Sequence, residues 1–396
     1  MALLLLNRRP ILAEVPDWLS GESVVVVTAK SAAPASAYER FRRVEVVDDY
    51  ESGEVDLLVD AMCAEHDVDR VLTTAEIDVV RAARARERHG IPGQSTAAAL
   101  AYRDKYRMKL LASRRGIPVA PMALVRDENE LSSFADRNGL PVVVKPADGA
   151  GSVGVTVLAD RRAVAAFSPP AGRTLLVERF IDGIVCHVDG LMAGGALLHA
   201  LPSRYLESNL DTATRAVPSI SGMLPPDDGL AKRLIGAAEA TVAALPPVAE
   251  VTAFHAEFFL TPQDELVLCE IACRPGGCGI AEAFELTTGI NLFAAHLRGQ
   301  AGLITSVTAD SARPRHGWGW FPPCAGTLER MPRSCPLPGT VRYTPLGERG
   351  SRYEGPGSST DRIAELVFRV DGGRAVEDVL REVDDWWAGE IRWQSR

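Results

Sequence analysis

Lysine is scarce in this chain. Of its 43 basic residues only five are lysine, at Lys30, Lys105, Lys109, Lys145 and Lys232, and arginine supplies the other 38. Where arginine is the default cation, a retained lysine is worth testing as a site that needs a compact, flexible point charge. Long apolar runs are missing too, and none reaches the ~18 residues of a membrane span. The opening Met1–Leu6 run stops at Asn7, precedes its arginines and is followed by no small-residue cleavage site. It is therefore expected to be a first strand and not a leader. Basic charge is not in excess: 43 Lys and Arg stand against 52 Asp and Glu, a net charge of −9. That balance argues against nucleic acid and against an electrostatic membrane anchor. The seven cysteines are odd in number and form no Cys-x-x-Cys pair. They are expected to be the reduced thiols of a cytoplasmic protein. The spacing of Cys269, Cys273 and Cys278 fits no standard iron–sulfur pattern. Also absent are the dinucleotide fingerprint G-x-G-x-x-G after the first strand and a Walker loop.

What is present is a globular composition, 46% hydrophobic and 24% charged over 396 residues, enough for two or three domains. The first hundred residues alternate strands, Ala2–Leu6, Ser23–Thr28, Val44–Val47 and Arg70–Thr73, with helical stretches Val55–His66 and Ile77–His89. This pattern implies an open parallel sheet. A helix over Ala97–Arg115 carries Lys105, and strands are expected at Pro141–Lys145, Val155–Leu158, Leu175–Phe180 and Val185–Met192. Leu201–Pro226 shows no clear periodicity and is expected to be a long functional loop. A helix at Gly229–Ala244, strands at Thr252–Leu260 and Glu265–Ala272, and helices near Ile280–Leu286 and Ala375–Trp387 complete the outline. Trp318 and Trp320 are expected to belong to the core of the C-terminal region.

Three segments carry chemistry. In the first, the strand Val142–Val144 delivers Lys145, and a loop with Gly149, Gly151, Ser152 and Gly154 returns to a second strand. Glycines let backbone N–H groups approach phosphate oxygens, and lysine adds a charge for them. The second is a hairpin. If it is centred between Gln263 and Asp264, Glu257 sits opposite Glu270. Like charges facing each other across a sheet are destabilising, and a magnesium ion between them would remove the penalty. The third is Arg274 in the turn Ala272–Gly277, with Gly276 and Gly277, where a guanidinium can clamp a carboxylate or phosphate.

In this order the segments resemble the ATP-grasp superfamily over about Leu100–Leu297, and within it the carboxylate–amine ligases that join amino acids or short peptides. The resemblance implies an ATP-grasp fold, α/β and α+β, with an N-terminal open parallel sheet domain and a small C-terminal α+β region. The implied boundaries are 1–96, 97–180, 181–300 and 301–396. Arg103-Asp104-Lys105-Tyr106 matches the first lysine of that family, Lys145 the second, and Gly151, Ser152 and Gly154 the phosphate loop. Glu178-Arg179-Phe180-Ile181-Asp182-Gly183 is similar to the hinge whose edge binds adenine. Glu257 and Glu270 match the metal-binding acids, with Mg2+ (or Mn2+ in its place), and Arg274 the arginine at the transferred phosphate. Two positions depart from the pattern. Val185 stands where the family often has a ribose-binding glutamate, and Ala272 where many members have a metal-binding asparagine. His187, on the same strand, is a candidate replacement at the ribose; His255 is a candidate for orienting Glu257, and Arg204 for holding a substrate carboxylate.

The resemblance thus implies an ADP-forming ligase that makes an amide through an acyl phosphate. ATP and magnesium are its cofactors. Its partners are a small-molecule carboxylate and amine, with no nucleic acid and no membrane, and a homodimer is left open. Two other readings stay open on the sequence. One is a biotin-carboxylase-like or purine-pathway ligase; the other is a nucleotide-binding module that has lost catalysis.

Overall fold

The computed structural model describes residues 1–170, 172–310, 313–370 and 373–394. The N-terminal sheet is parallel, in the order Arg43–Val47, Ser23–Ala29, Ala2–Asn7, Arg70–Thr73. Leu3–Leu6 are fully buried on both faces of the central strand, which is why this run shows no polar alternation. A helix follows at Asp78–His89 and stops at Gly90 in the left-handed conformation, as a helix C-terminus favours.

Next comes a four-stranded antiparallel sheet in the order Met122–Val125, Leu175–Arg179, Val142–Lys145, Thr156–Leu158. It is reached through two helices, Thr96–Arg103 and Lys105–Ser113, where the sequence suggested one. Asp104 is the reason. Its backbone is extended (φ −89°, ψ 109°), and its side chain accepts a hydrogen bond from the Arg107 amide at 3.0 Å. It caps a new helix whose first residue is Lys105.

The large sheet has eight strands in the order Leu266–Ala272, Thr252–Leu260, Ile184–Ala193, Ala196–Tyr205, Ser219–Met223, Arg315–Phe321, Ala364–Val370, Thr340–Pro345. It runs straight through the boundary drawn at residue 300, so the C-terminal region extends the same sheet. Leu201–Pro226 is not a loop. It contains the end of the strand Ala196–Tyr205, the helix Asn209–Arg215 and the strand Ser219–Met223. The last of these is buried at all five positions, serines and glycine included, so no alternation was available to reveal it. Trp318 is buried, as expected. Trp320 is partly buried beneath the Arg362 guanidinium, 3.8 Å from the ring centroid. All seven cysteines are free thiols. Among the described residues no helix is long and apolar enough to cross a membrane.

Candidate active site

The paired glutamates are brought together. Glu257 pairs with Glu270 in the hairpin register, so both side chains leave the same face of the sheet. The assumed turn centre is not what achieves this. From Phe258 outward the register follows Phe258–Leu268 and Leu260–Leu266, and the shift lies between Glu257 and Phe258, with Cys269 as the extra residue. A β-bulge re-aims side chains in this way.

Glu257 is buried, and one oxygen, Oε1, gathers all its partners: Asn209 Nδ2 donates at 3.0 Å, the Tyr205 hydroxyl at 3.4 Å, and His255 Nε2 lies 3.3 Å away. Glu270 Oε2 meets the Lys105 ammonium at 2.9 Å. The second oxygen of each glutamate takes no partner among the described residues. Two hard oxygen donors on one face therefore remain available, and that donor set fits magnesium completed by phosphate oxygens and water. Burial disfavours the charged form of Glu270, but Lys105, Lys145 and His255 more than reverse this and hold its carboxyl down at about 2. His255 does lie beside Glu257, as the sequence suggested. Its other nitrogen, Nδ1, stands 2.9 Å from Asp189 Oδ1. Burial would lower the pKa of its ring, but Asp189 and Glu257 raise it to about 10.

The two expected lysines reach the site by different routes. Lys105 Nζ touches both Glu270 and the carbonyl of Gly149, to which it donates at 2.7 Å. Arg103 Nη1 donates to the same carbonyl at 3.1 Å. The glycine-rich loop is therefore latched to the helix pair that precedes it. Its tip turns through left-handed residues Gly151 (φ +62°), Ser152 (φ +59°) and Gly154 (φ +73°). The Ser359 amide, from the C-terminal region, donates to Gly151 O at 3.1 Å.

Lys145 Nζ lies 2.8 Å from Glu178 Oε2. Glu178 was expected at the adenine edge of the hinge. Its side chain points instead into the sheet, where it is buried between Lys145 and a second lysine, Lys109, at 2.5 Å. Phe180 and Ile181, just beyond, are partly exposed where the chain crosses from one sheet to the next. Lys109 has no exposed surface, and burial lowers its pKa against the pull of Glu178. Burial would raise the Glu178 pKa, but the two lysines hold it down at about 2.

Sequence reasoning missed Lys109, although its rarity and its position four residues after Lys105 were visible. It also missed Glu76, Asn209 and Tyr205. Glu76, from the loop after the strand Arg70–Thr73, accepts from Arg274 Nε at 2.8 Å and lies 3.8 Å from Arg103. Arg274 lies in the turn after the hairpin, paired with Glu76. Gly276 is a place of close approach: a Cβ there would stand 2.6 Å from Asp189 Oδ1. Gly277 faces open space.

Two candidates have partners of their own. His187 is almost fully buried, with Nδ1 2.5 Å from Asp189 and Nε2 2.6 Å from Ser221. It stands opposite Glu257 across the strand pair, its ring 4.7 Å from that of Tyr205 and 5.6 Å from that of His255, and lines an internal cavity of about 10 Å3, roughly one water. Val185 on the same face is packed into the apolar cluster around Tyr205 and Trp318. Arg204 stands on a strand and points the other way, into an ion pair with Glu377 of the last helix. We expect Arg204→Ala to lower thermal stability by about 1 kcal/mol while leaving the KM of every substrate unchanged. A raised substrate KM would return Arg204 to the site.

Residues 104–187, from the cap of Lys105 to His187, match the family described as carbamoyl-phosphate synthase L chain, ATP binding domain. An L-arginine-specific L-amino acid ligase of Bacillus subtilis is 23% identical over 334 residues, 79% of this chain and 78% of the relative. A D-alanine–D-alanine ligase of Syntrophobacter fumaroxidans is 34% identical over 120 residues, but these cover only 28% of this chain and 38% of that enzyme. Among solved structures, the L-amino acid ligase of Bacillus licheniformis superposes with a TM-score of 0.71 at 16% identity, covering 100% of this chain and 98% of that one. The fold is shared with these ligases over the whole chain. The sequence relatives named above are ligases of amino acids.

Proposed function

We propose that the protein is an ATP-dependent, ADP-forming ligase that joins the carboxylate of one amino-acid-like substrate to the amine of another. The observation that carries this reading is the Glu257–Glu270 pair opposite a loop latched by Lys105 and Arg103, with Arg274 at its edge.

Glu257 and Glu270 are the residues that would hold magnesium, and the ion would supply charge neutralisation for ATP. Lys145, kept charged by Glu178, and Lys105 approach the phosphates from the other side. The turned glycine loop offers backbone N–H groups to them. A substrate carboxylate oxygen attacks the γ-phosphorus, ADP leaves, and an acyl phosphate remains. Arg274 is poised for that anion, with one terminal nitrogen free of partners among the described residues. The amine nitrogen then attacks the acyl carbon and phosphate leaves, giving the amide. Arg274 stabilises the oxyanion formed on the way. Docking of Gly151 on Ser359 keeps water from the acyl phosphate.

The Lys145–Glu178 pair and both metal glutamates argue against a module that has lost catalysis. The amino-acid ligases among its sequence relatives favour amino acids over the purine-pathway alternative. The test is trapping with hydroxylamine. With ATP, magnesium and the proteinogenic L-amino acids, an amino-acid hydroxamate should form with one ADP per product. AMP in place of ADP would exclude an acyl phosphate. ADP released equally fast without any carboxylic acid would leave only an ATPase.

A further inference from the structure

The parallel sheet delivers two charged groups to one edge. Its strands Ala2–Asn7 and Arg70–Thr73 are neighbours in register, with Leu6 beside Thr73. Arg9 and Glu76 each stand three residues beyond that pair. Both therefore emerge at the carboxyl ends of adjacent strands, where open α/β sheets place their ligands. Asn7 fixes the turn, donating from Nδ2 to the Arg9 carbonyl at 2.9 Å and accepting from the Arg9 amide at 3.1 Å.

Glu76 is satisfied by Arg274 and Arg103. Arg9 is not. Its neighbour Arg8 pairs with Glu51 at 2.6 Å, but among the described residues the Arg9 guanidinium has neither ion pair nor hydrogen bond. It is half-buried all the same. Burial and the like charge of Arg274 bring its pKa down to about 10. The thiol of Cys278 lies within the fields of Arg9, Arg274, Arg362 and Glu257. Arg9 therefore lies near Arg274, Glu76 and Cys278 at this edge. A cation that is partly desolvated, unpaired and crowded by another cation costs free energy until an anion arrives.

Which anion follows from the reaction, so this step rests on the ligase reading above. The donor carboxylate is consumed as the acyl phosphate beside Arg274, and ATP is held by the lysines and magnesium. The anion left without a partner is the one the acceptor carries. We infer that Arg9 binds the carboxylate of the acceptor, so that the acceptor is an amino acid and not a simple amine.

The experiment compares acceptors that differ only in this charge: glycine, L-alanine and L-phenylalanine against glycinamide, L-alaninamide and L-phenylalaninamide. The donor is whichever proteinogenic amino acid yields hydroxamate, and kcat/KM is read by mass detection of the amide. Wild type should prefer the carboxylate acceptors by about ten- to a hundredfold, the value of a charge-assisted hydrogen bond. Arg9→Met should abolish that preference, and Arg9→Lys should restore part of it. The preference is a ratio within one protein, so a general loss of fold or turnover does not imitate it. A preference kept in Arg9→Met overturns the assignment. So does a wild type that takes the amides as readily, or one that uses aminomethylphosphonate better than glycine. Failure of wild type to form any hydroxamate overturns the ligase reading itself.

Discussion

Glu257→Gln and Glu270→Gln should each lower kcat by at least about a hundredfold, with little change in thermal stability. Groups that only orient metal ligands cost about 10–100-fold when removed, and a ligand itself costs more. Glutamine keeps the shape and one oxygen but removes the charge that magnesium needs. The two variants should differ in a second respect. Glu257 accepts from Asn209, Tyr205 and His255 through a single oxygen. Among the described residues Glu270 pairs only with the Lys105 ammonium, so its amide variant leaves that cation less well balanced and should also raise the KM for ATP. The check is steady-state kinetics across a magnesium titration. Near-normal turnover by either variant at limiting magnesium would remove that residue from the metal site.

Lys109→Met should be the most destabilising single change near the site, about 3–5 kcal/mol, the usual cost of breaking a buried ion pair from one side. Lys109, Glu178 and Lys145 carry a net charge of +1 together. Without Lys109, Glu178 is balanced by Lys145 alone, and the group that should pull on phosphate becomes neutral. The KM for ATP should therefore rise along with the loss of stability. The double variant Lys109→Met/Glu178→Gln restores the net +1 through Lys145 and should recover most of both. A double variant as unstable as the single one would show that Lys109 acts by packing alone.

Acid sensitivity provides a separate check on the same triad. The folded-state pKa of Glu178, about 2, lies below the ordinary 4.5. Its contribution to stability is thus complete above pH 4.5 and is lost as pH falls toward 2. Glu178→Gln should flatten the stability profile across that window. An unchanged slope would mean that Glu178 is not held ionised by the lysines.

The site was only partly legible in the sequence. Lys105, Lys145, Glu257, Glu270 and Arg274 could be named because each belongs to a local pattern: a capped helix, a strand before a glycine loop, a hairpin, a turn. Even so, the hairpin arithmetic reached the right pair through a wrong premise. The turn is displaced by half a residue, and the bulge at Cys269 restores the pairing of Glu257 with Glu270. Bulges arise from side-chain packing and leave no fixed mark in sequence. Arg204 was misplaced for a different reason. Alternation along a strand says which residues share a face, but not what that face looks at. The face of Arg204 looks at a helix more than 170 residues later.

Patterns local to the chain specify the parallel N-terminal sheet, the glycine-loop hairpin, the paired acids and the order in which they come. These depend on hydrophobic period, turn chemistry and short spacings, all local along the chain. Only the tertiary structure decided the partners. Glu76 meets Arg274 across 198 residues, Lys109 meets Glu178 across 69, and Ser359 reaches back to Gly151. Each contact joins elements whose relative placement is set by the packing of the whole core. Charge pairing acts over a few ångströms in space, and sequence distance does not encode it.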